Sequence, residues 1–458
     1  MADQNLSGHQ IEEIKLDAVN HFWPHGRQAG DLSEDSGIKI ISSADGVWVE
    51  DVYGEKWFDL ISGMYLKNIG HGRKEIAEAV YTQMQSISYS PGGTITPVTA
   101  ELAAKISKLS PDKRSRTYFV SGGSEAVETA VKMAKQYHFN NGDLGRWKIL
   151  SRRGSYHGAT HMCMGLGQPG SSVSQFGPLI PGNIHVAQHD NYRGICNDGN
   201  GSCNLECARD IDRTIKHEGA NTIAAFIGEP VSAAAGTHIP HPDYWPFVQE
   251  LCNRYGILLI CDETINGFGR TGKMFATENW NIKPDIFTVA KGLTSGYIPI
   301  GAAIANKKIA DSFIGSDERT FKHLITFGGN PPASAAALEN IRILESEGMV
   351  DNSADKGAYL FQGLQRLHDH KIVGDIRGGL GLMASIELVQ DRESKKPFPK
   401  ETTLDKIVGQ AFKKNHILGS LARGGDIAIY PPLCVTNDEL DELIYRLDQT
   451  LLDIESNI

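Results

Sequence analysis

Two charged residues stand at the ends of short apolar runs, and their spacing is the first sign of chemistry. Asp262 follows the run Ile257–Cys261, and Lys291 follows Asp285–Ala290, 29 residues after Asp262. Apolar runs this short, without alternation, read as strands buried on both faces of a parallel sheet. Both charges then lie at strand carboxyl ends, where open α/β sheets keep their ligands. A Gly-rich segment follows each run: Gly267-Phe268-Gly269-Arg270-Thr271-Gly272 and Gly292-Leu293-Thr294-Ser295-Gly296. Such segments let backbone come close to a bound molecule. A lysine amine can condense with an aldehyde, and a carboxylate can hold a pyridine nitrogen protonated so that the ring acts as an electron sink. The pair therefore suits pyridoxal phosphate (pyridoxal 5'-phosphate). The plain alternative is a buried Asp–Lys ion pair in another doubly wound fold.

The surrounding segments favour the first reading. DETINGFGRTG and AKGLTSGYIPIGA, in this register, resemble the signature of the class III (omega) pyridoxal-phosphate aminotransferases, and the likeness runs from about residue 22 to the end. The resemblance implies a fold-type I α/β enzyme. Its large domain has a mostly parallel sheet between helical layers, and a smaller α+β domain accompanies it. It also implies a homodimer with the active site shared at the interface.

Site residues carry over by position. Gly123 and Ser124 would bind the cofactor phosphate. On its own, their strand-to-helix junction is an anion seat or an ordinary N-cap. Tyr156, in Tyr156-His157-Gly158, would lie over the pyridine ring. Thr264 would lie under it, where the family commonly has an apolar β-branched residue. Thr326, in TFGGNPP, would reach the phosphate of the neighbouring subunit. Arg423 would clamp the substrate α-carboxylate through two parallel N–H groups, and Glu229 could neutralise it when no carboxylate is bound. Tyr65, Lys67, Tyr89, Ala234 and Ile265 fall where relatives line the substrate tunnel.

The expected reaction moves an amino group from an ω-amino acid or amine to a keto acid, pyruvate, giving alanine and an aldehyde. Lys67, His71 and Arg73 form a basic run after the first hairpin. At a tunnel mouth such a rim favours donors with a distal anion, such as β-alanine or taurine; the bland alternative is a solvated helix start. A broad amine or polyamine aminotransferase, or an aminomutase, would share the machinery. A non-catalytic nucleotide-binding module would need a G-x-G-x-x-G fingerprint, which is absent.

Positioning these residues takes an alternation of strand and helix. GVWVEDVYGEKWFDLISG alternates as a β-hairpin. The segment from Arg73 to Tyr89 carries Ile76, Val80, Met84 and Ile87 at helical spacing. A second helix covers Val98–Leu109. Strands are expected at Arg116–Val120, Lys148–Ser151, Ile223–Gly228 and Ile300–Ala305, with a helix that the stretch Ser121–Ala126 turns into and that reaches about Phe139, and another over Tyr244–Tyr255. After Pro331 come a helix (Ala333–Glu347), mixed strands, and a final helix from Asn437. The expected division is an arm and hairpin at 1–70 packing with the small domain, a cofactor-binding domain at 71–332, and the small domain at 333–458.

At 458 residues the chain exceeds one ordinary core. No apolar run approaches the roughly 20 residues needed to span a membrane. The net charge of −10 argues against nucleic acid as partner. With a polar, acidic N-terminus lacking a secretory pattern, the cytoplasm is the expected location. Cys196, Cys203 and Cys207 crowd one polar loop, but their spacing matches no standard zinc pattern. They read as an incidental thiol cluster in a surface insertion, with no metal expected.

Overall fold

The computed structural model describes residues 6–26, 28–33, 39–167, 175–196, 203–422 and 425–458. Among these, the strands make three sheets. The first takes Ile41–Asp45 (β1), Trp48–Asp51 (β2) and Lys56–Asp59 (β3). The second takes Arg116–Val120 (β4), Lys148–Arg152 (β5), Asn183–Val186 (β6), Ile223–Gly228 (β7), Leu258–Asp262 (β8), Ile286–Val289 (β9) and Gly301–Ala305 (β10). Val373–Arg377 (β11), Ala384–Leu388 (β12) and Ile427–Ile429 (β14) make the third, while Ile417–Leu418 (β13) returns to pair with β3 in the first.

The large sheet has the order β4-β10-β9-β8-β7-β5-β6. From β6 through β9 every pairing is parallel, whereas β10 runs antiparallel to both β9 and β4. The alternation of elements suggested a parallel strand here. A parallel return needs a crossover of a dozen or more residues, usually helical. Between β9 and β10 the chain forms only the short turn Lys291–Leu293, so it comes back antiparallel. Every residue of β7, β8, β9 and β10 is buried, which is why these strands read as unbroken apolar runs.

The helix Gly123–Asn140 packs on this sheet. Val127, Ala130, Val131 and Ala134 recur at helical spacing and join one cluster with Ile227, Ile260 and Ile286 of the strands. Within the first Gly-rich segment, the Arg270 guanidinium is fully buried and ties separate parts of the chain. Its nitrogens donate to Leu382 O (3.0 Å), Pro431 O (2.6 Å), Ser62 Oγ (3.2 Å) and Asn68 Oδ1 (3.1 Å). No helix among the described residues is long and apolar enough to cross a membrane.

Candidate active site

A cavity of about 400 Å³ opens where β8 and β9 deliver Asp262 and Lys291. Asp262 is the last residue of β8, and both oxygens of its carboxylate are hydrogen-bonded. Oδ2 lies 2.8 Å from His157 Nδ1, and Oδ1 accepts from Thr288 Oγ1 (2.9 Å) and Thr264 N (3.1 Å). Burial works to raise its pKa, but the bond and charge of His157, with the Thr264 N–H, outweigh it and hold the carboxyl below its ordinary value. His157 is itself buried, which favours the neutral ring. The charge of Glu229, 3.9 Å from Nε2, and the bond to Asp262 reverse that and raise it.

Lys291 follows β9 with φ at 24°, on the left-handed side that non-glycine residues avoid. Such strained positions cluster at functional sites. Burial lowers the amine to about 8, against the opposing charge of Asp262. Its Nζ lies 5.4 Å from the centre of the Tyr65 ring.

At the other end of the cavity, the helix Gly123–Asn140 begins at Gly122 with no side-chain cap, leaving first-turn N–H groups for another acceptor. The Ser124 hydroxyl accepts from Ala159 N at 3.1 Å and keeps its own proton to donate. Two glycines shape this end. A Cβ at Gly158, where φ is +132°, would meet Ser124 Oγ at 2.4 Å, and one at Gly123 would meet Thr264 Cγ2 at 2.9 Å. Anion donors, a lysine amine and a charged carboxylate thus line one cleft, a donor set that fits pyridoxal phosphate.

The cavity also brings together Tyr156, Thr264, Tyr65, Ala234, Ile265 and Glu229. Glu229 differs from expectation in its partner. Its carboxylate pairs with the buried Arg152 at 2.8 Å and accepts from Tyr156 N at 3.1 Å, so it is already neutralised. Arg423 lies outside the described residues. Lys67, Tyr89 and Thr326 do not line the cavity of their own chain. Thr326 is exposed, and its carbonyl accepts from Tyr89 Oη at 3.0 Å.

The anticipated basic rim is a correction. His71 Nε2 is 2.8 Å from Asp59, Arg73 makes two bonds to Glu347 (2.9 and 2.7 Å), and Lys67 Nζ sits 3.9 Å from the centre of the Tyr297 ring. Burial also lowers the Lys67 amine. His71 and Arg73 are thus paired with carboxylates, and Lys67 lies over an aromatic ring. Sequence alone gives His157 and Arg152 no role. His157 had a visible signal, its place inside the Tyr156-His157-Gly158 motif, whereas Arg152 at the end of β5 had none. Ile61, Met64 and Leu421, which complete the wall, carried no signal either.

Residues 32–451 match the family model described as aminotransferase class-III. The chain is 34% identical to a putrescine–pyruvate aminotransferase of Pseudomonas aeruginosa, over 98% of each chain. It is 33% identical to a taurine–pyruvate aminotransferase of Bilophila wadsworthia, over 97% of this chain and 98% of that one. An (S)-enantioselective omega-transaminase from Thermomicrobium roseum superposes with a TM-score of 0.92 at 38% identity, over 97% of this chain and 98% of the other. With family signature, fold and donor set in agreement, the chain belongs to the class-III aminotransferases, which depend on pyridoxal phosphate.

Proposed function

We propose that this aminotransferase carries amino groups from primary amines with apolar bodies to a keto acid, pyruvate, and that it works as a homodimer. Bound pyridoxal phosphate supplies the electron sink. Lys291 would hold it, and its amine would take up and return the proton at the donor carbon. Asp262, kept ionised by His157, would keep the ring nitrogen protonated. The first turn from Gly123 and Ser124 would hold the phosphate, and Tyr156 and Thr264 would hold the ring. Arg423, directly after the wall residue Ala422, receives the keto-acid carboxylate.

The character of the wall carries the donor class. Ile61, Met64, Tyr65, Ala234, Ile265, Leu421 and Ala422 are apolar or aromatic. Among the described lining residues the basic side chains are Lys291 and His157, with His157 bonded to Asp262. Away from Arg423, this wall offers a sulfonate or distal carboxylate on the donor no further basic partner among the described lining residues, and burying a charge so is costly. A donor panel with pyruvate as acceptor, read as alanine formed, tests this. Alkylamines, arylalkylamines or diamines are expected to exceed taurine and β-alanine in kcat/KM by about tenfold or more. A preference for taurine or β-alanine would move the donor to the ω-amino acids.

Two observations support the dimer. Thr326 is exposed and is not among the residues lining the cavity of its own chain. The helix Lys74–Ser86 buries only Ile76 of its anticipated stripe, and Tyr81 and Met84 stay exposed, as do Leu324 and the packed pair Tyr89 and Phe327, ring centres 6.4 Å apart. Apolar surface bared in this way marks an interaction face.

A further inference from the structure

Away from the cavity, Cys196, Cys203 and Cys207 bring their sulfur atoms within 4.8 Å of one another. The sequence suggested incidental thiols in a surface insertion. In the fold Cys196 and Cys207 are buried and Cys203 is half-buried. Backbone bonds build the arrangement. Asn204 N donates to Cys196 O at 3.0 Å, so the two ends of the loop are latched together. Leu205, at φ 63°, turns the chain between Cys203 and Cys207, and its N–H donates to Cys203 Sγ at 3.3 Å. Cys207 lies in the first turn of the helix Glu206–Glu218, so the helix start fixes its place beside the loop ends.

We propose that Cys196, Cys203 and Cys207 form a three-thiolate site for a divalent cation of the zinc class, its fourth position filled by water or a small exogenous ligand. Zinc–sulfur bonds of about 2.3 Å place tetrahedral sulfurs about 3.8 Å apart, so the side chains need close by no more than about 1 Å. Each bound thiol gives up its proton. One dication and three thiols therefore yield a complex of net charge −1 and release three protons to solvent, with no electron transferred. Sulfur ligands select against magnesium and calcium. The site would staple the segment after β6 to the helix Glu206–Glu218, a joint already tied where Ala187 N donates to Asp210 Oδ2 at 2.8 Å. A disulfide would use only two of the sulfurs and leave the third without a role.

The test uses the intact holoenzyme, stripped with a chelator and then dialysed against Zn²⁺ or Co²⁺. One zinc per chain is expected, with three fewer titratable thiols than in the stripped enzyme. Cobalt should give the intense visible bands of a tetrahedral thiolate site. Cys203→Ser and Cys207→Ser should each lose the zinc and the cobalt bands while transaminating at the wild-type rate. Because Cys203 is only half-buried, its variant carries the test should Cys207→Ser not fold. Zinc well below one per chain, equal zinc in Cys203→Ser and wild type, or a disulfide among the three that zinc does not prevent would each overturn the site.

Discussion

The reactivity of Lys291 depends on where the fold puts it. An exposed lysine is almost wholly protonated at neutral pH and is a poor nucleophile toward an aldehyde. Burial behind β9 brings this amine down to about 8, and the Asp262 charge stops it falling further. The amine is protonated below that value and neutral above it, so reactivity should be gained as pH rises. When cofactor-free enzyme is mixed with pyridoxal phosphate, the rate of attachment should climb with pH and level off just above 8. Absorbance of the lysine-bound form in a stopped-flow instrument reads this directly. A rate still climbing past pH 10 would mean that the amine titrates as an ordinary lysine. The identity of this residue was legible because it closes an apolar run in register with Asp262. Its lowered pKa and its backbone at φ 24° were not, since both arise from packing across elements. Glu229 teaches the same limit. A buried carboxylate could be expected from its place at the end of β7, but its pairing with Arg152 joins residues 77 positions apart.

At the scale of elements, the phosphate end depends on two segments touching that are distant in sequence. Gly158 has φ +132° and would carry a Cβ 2.4 Å from Ser124 Oγ, with the Ser124 Cα at 3.0 Å. Backbone on one side and helix on the other leave no room to yield. Gly158→Ala should therefore push the Tyr156–Gly158 loop off the helix start and weaken cofactor binding by about tenfold or more, with the sheet intact. Titration of stripped enzyme with pyridoxal phosphate, beside far-ultraviolet dichroism, separates the two effects; unchanged affinity would refute the cradle. The strands β7, β8 and β9 were readable because burial on both faces writes an apolar run. The strand β6 escaped notice: four residues beginning Asn-Ile-His and only partly buried carry no such pattern. The helix Met349–Leu364 was missed for a related reason, since Gly357 and Gly363 interrupt its periodicity. Gly357 is there because a Cβ would strike the Gly381 carbonyl at 2.1 Å.

For the whole molecule, the open question is whether one chain holds a complete site. Tyr81, Met84, Tyr89, Ile95, Leu324 and Phe327 leave large apolar areas bare, with Leu324 78% exposed. The helical spacing of Ile76, Val80, Met84 and Ile87 was readable, but not that the outer part of the stripe would stay uncovered by its own chain. Thr326 lies on this face rather than in the cavity. If a second copy covers the face and lends its Thr326 to the neighbouring phosphate, then each site draws Lys291 from one chain and Thr326 from the other. Lys291→Ala is expected to be inactive, and Thr326→Ala to be weak at limiting pyridoxal phosphate. Unfolded together and refolded as a mixture, they should form heterodimers in which one site carries both lesions and the other carries neither. Random pairing of equal amounts makes half the dimers mixed, so about one quarter of all sites should be wild type. Activity at limiting cofactor should then rise above the mean of the two separate variants toward that fraction. If Thr326 instead serves its own chain, every site in the mixture keeps one lesion, and the measured activity stays at that mean.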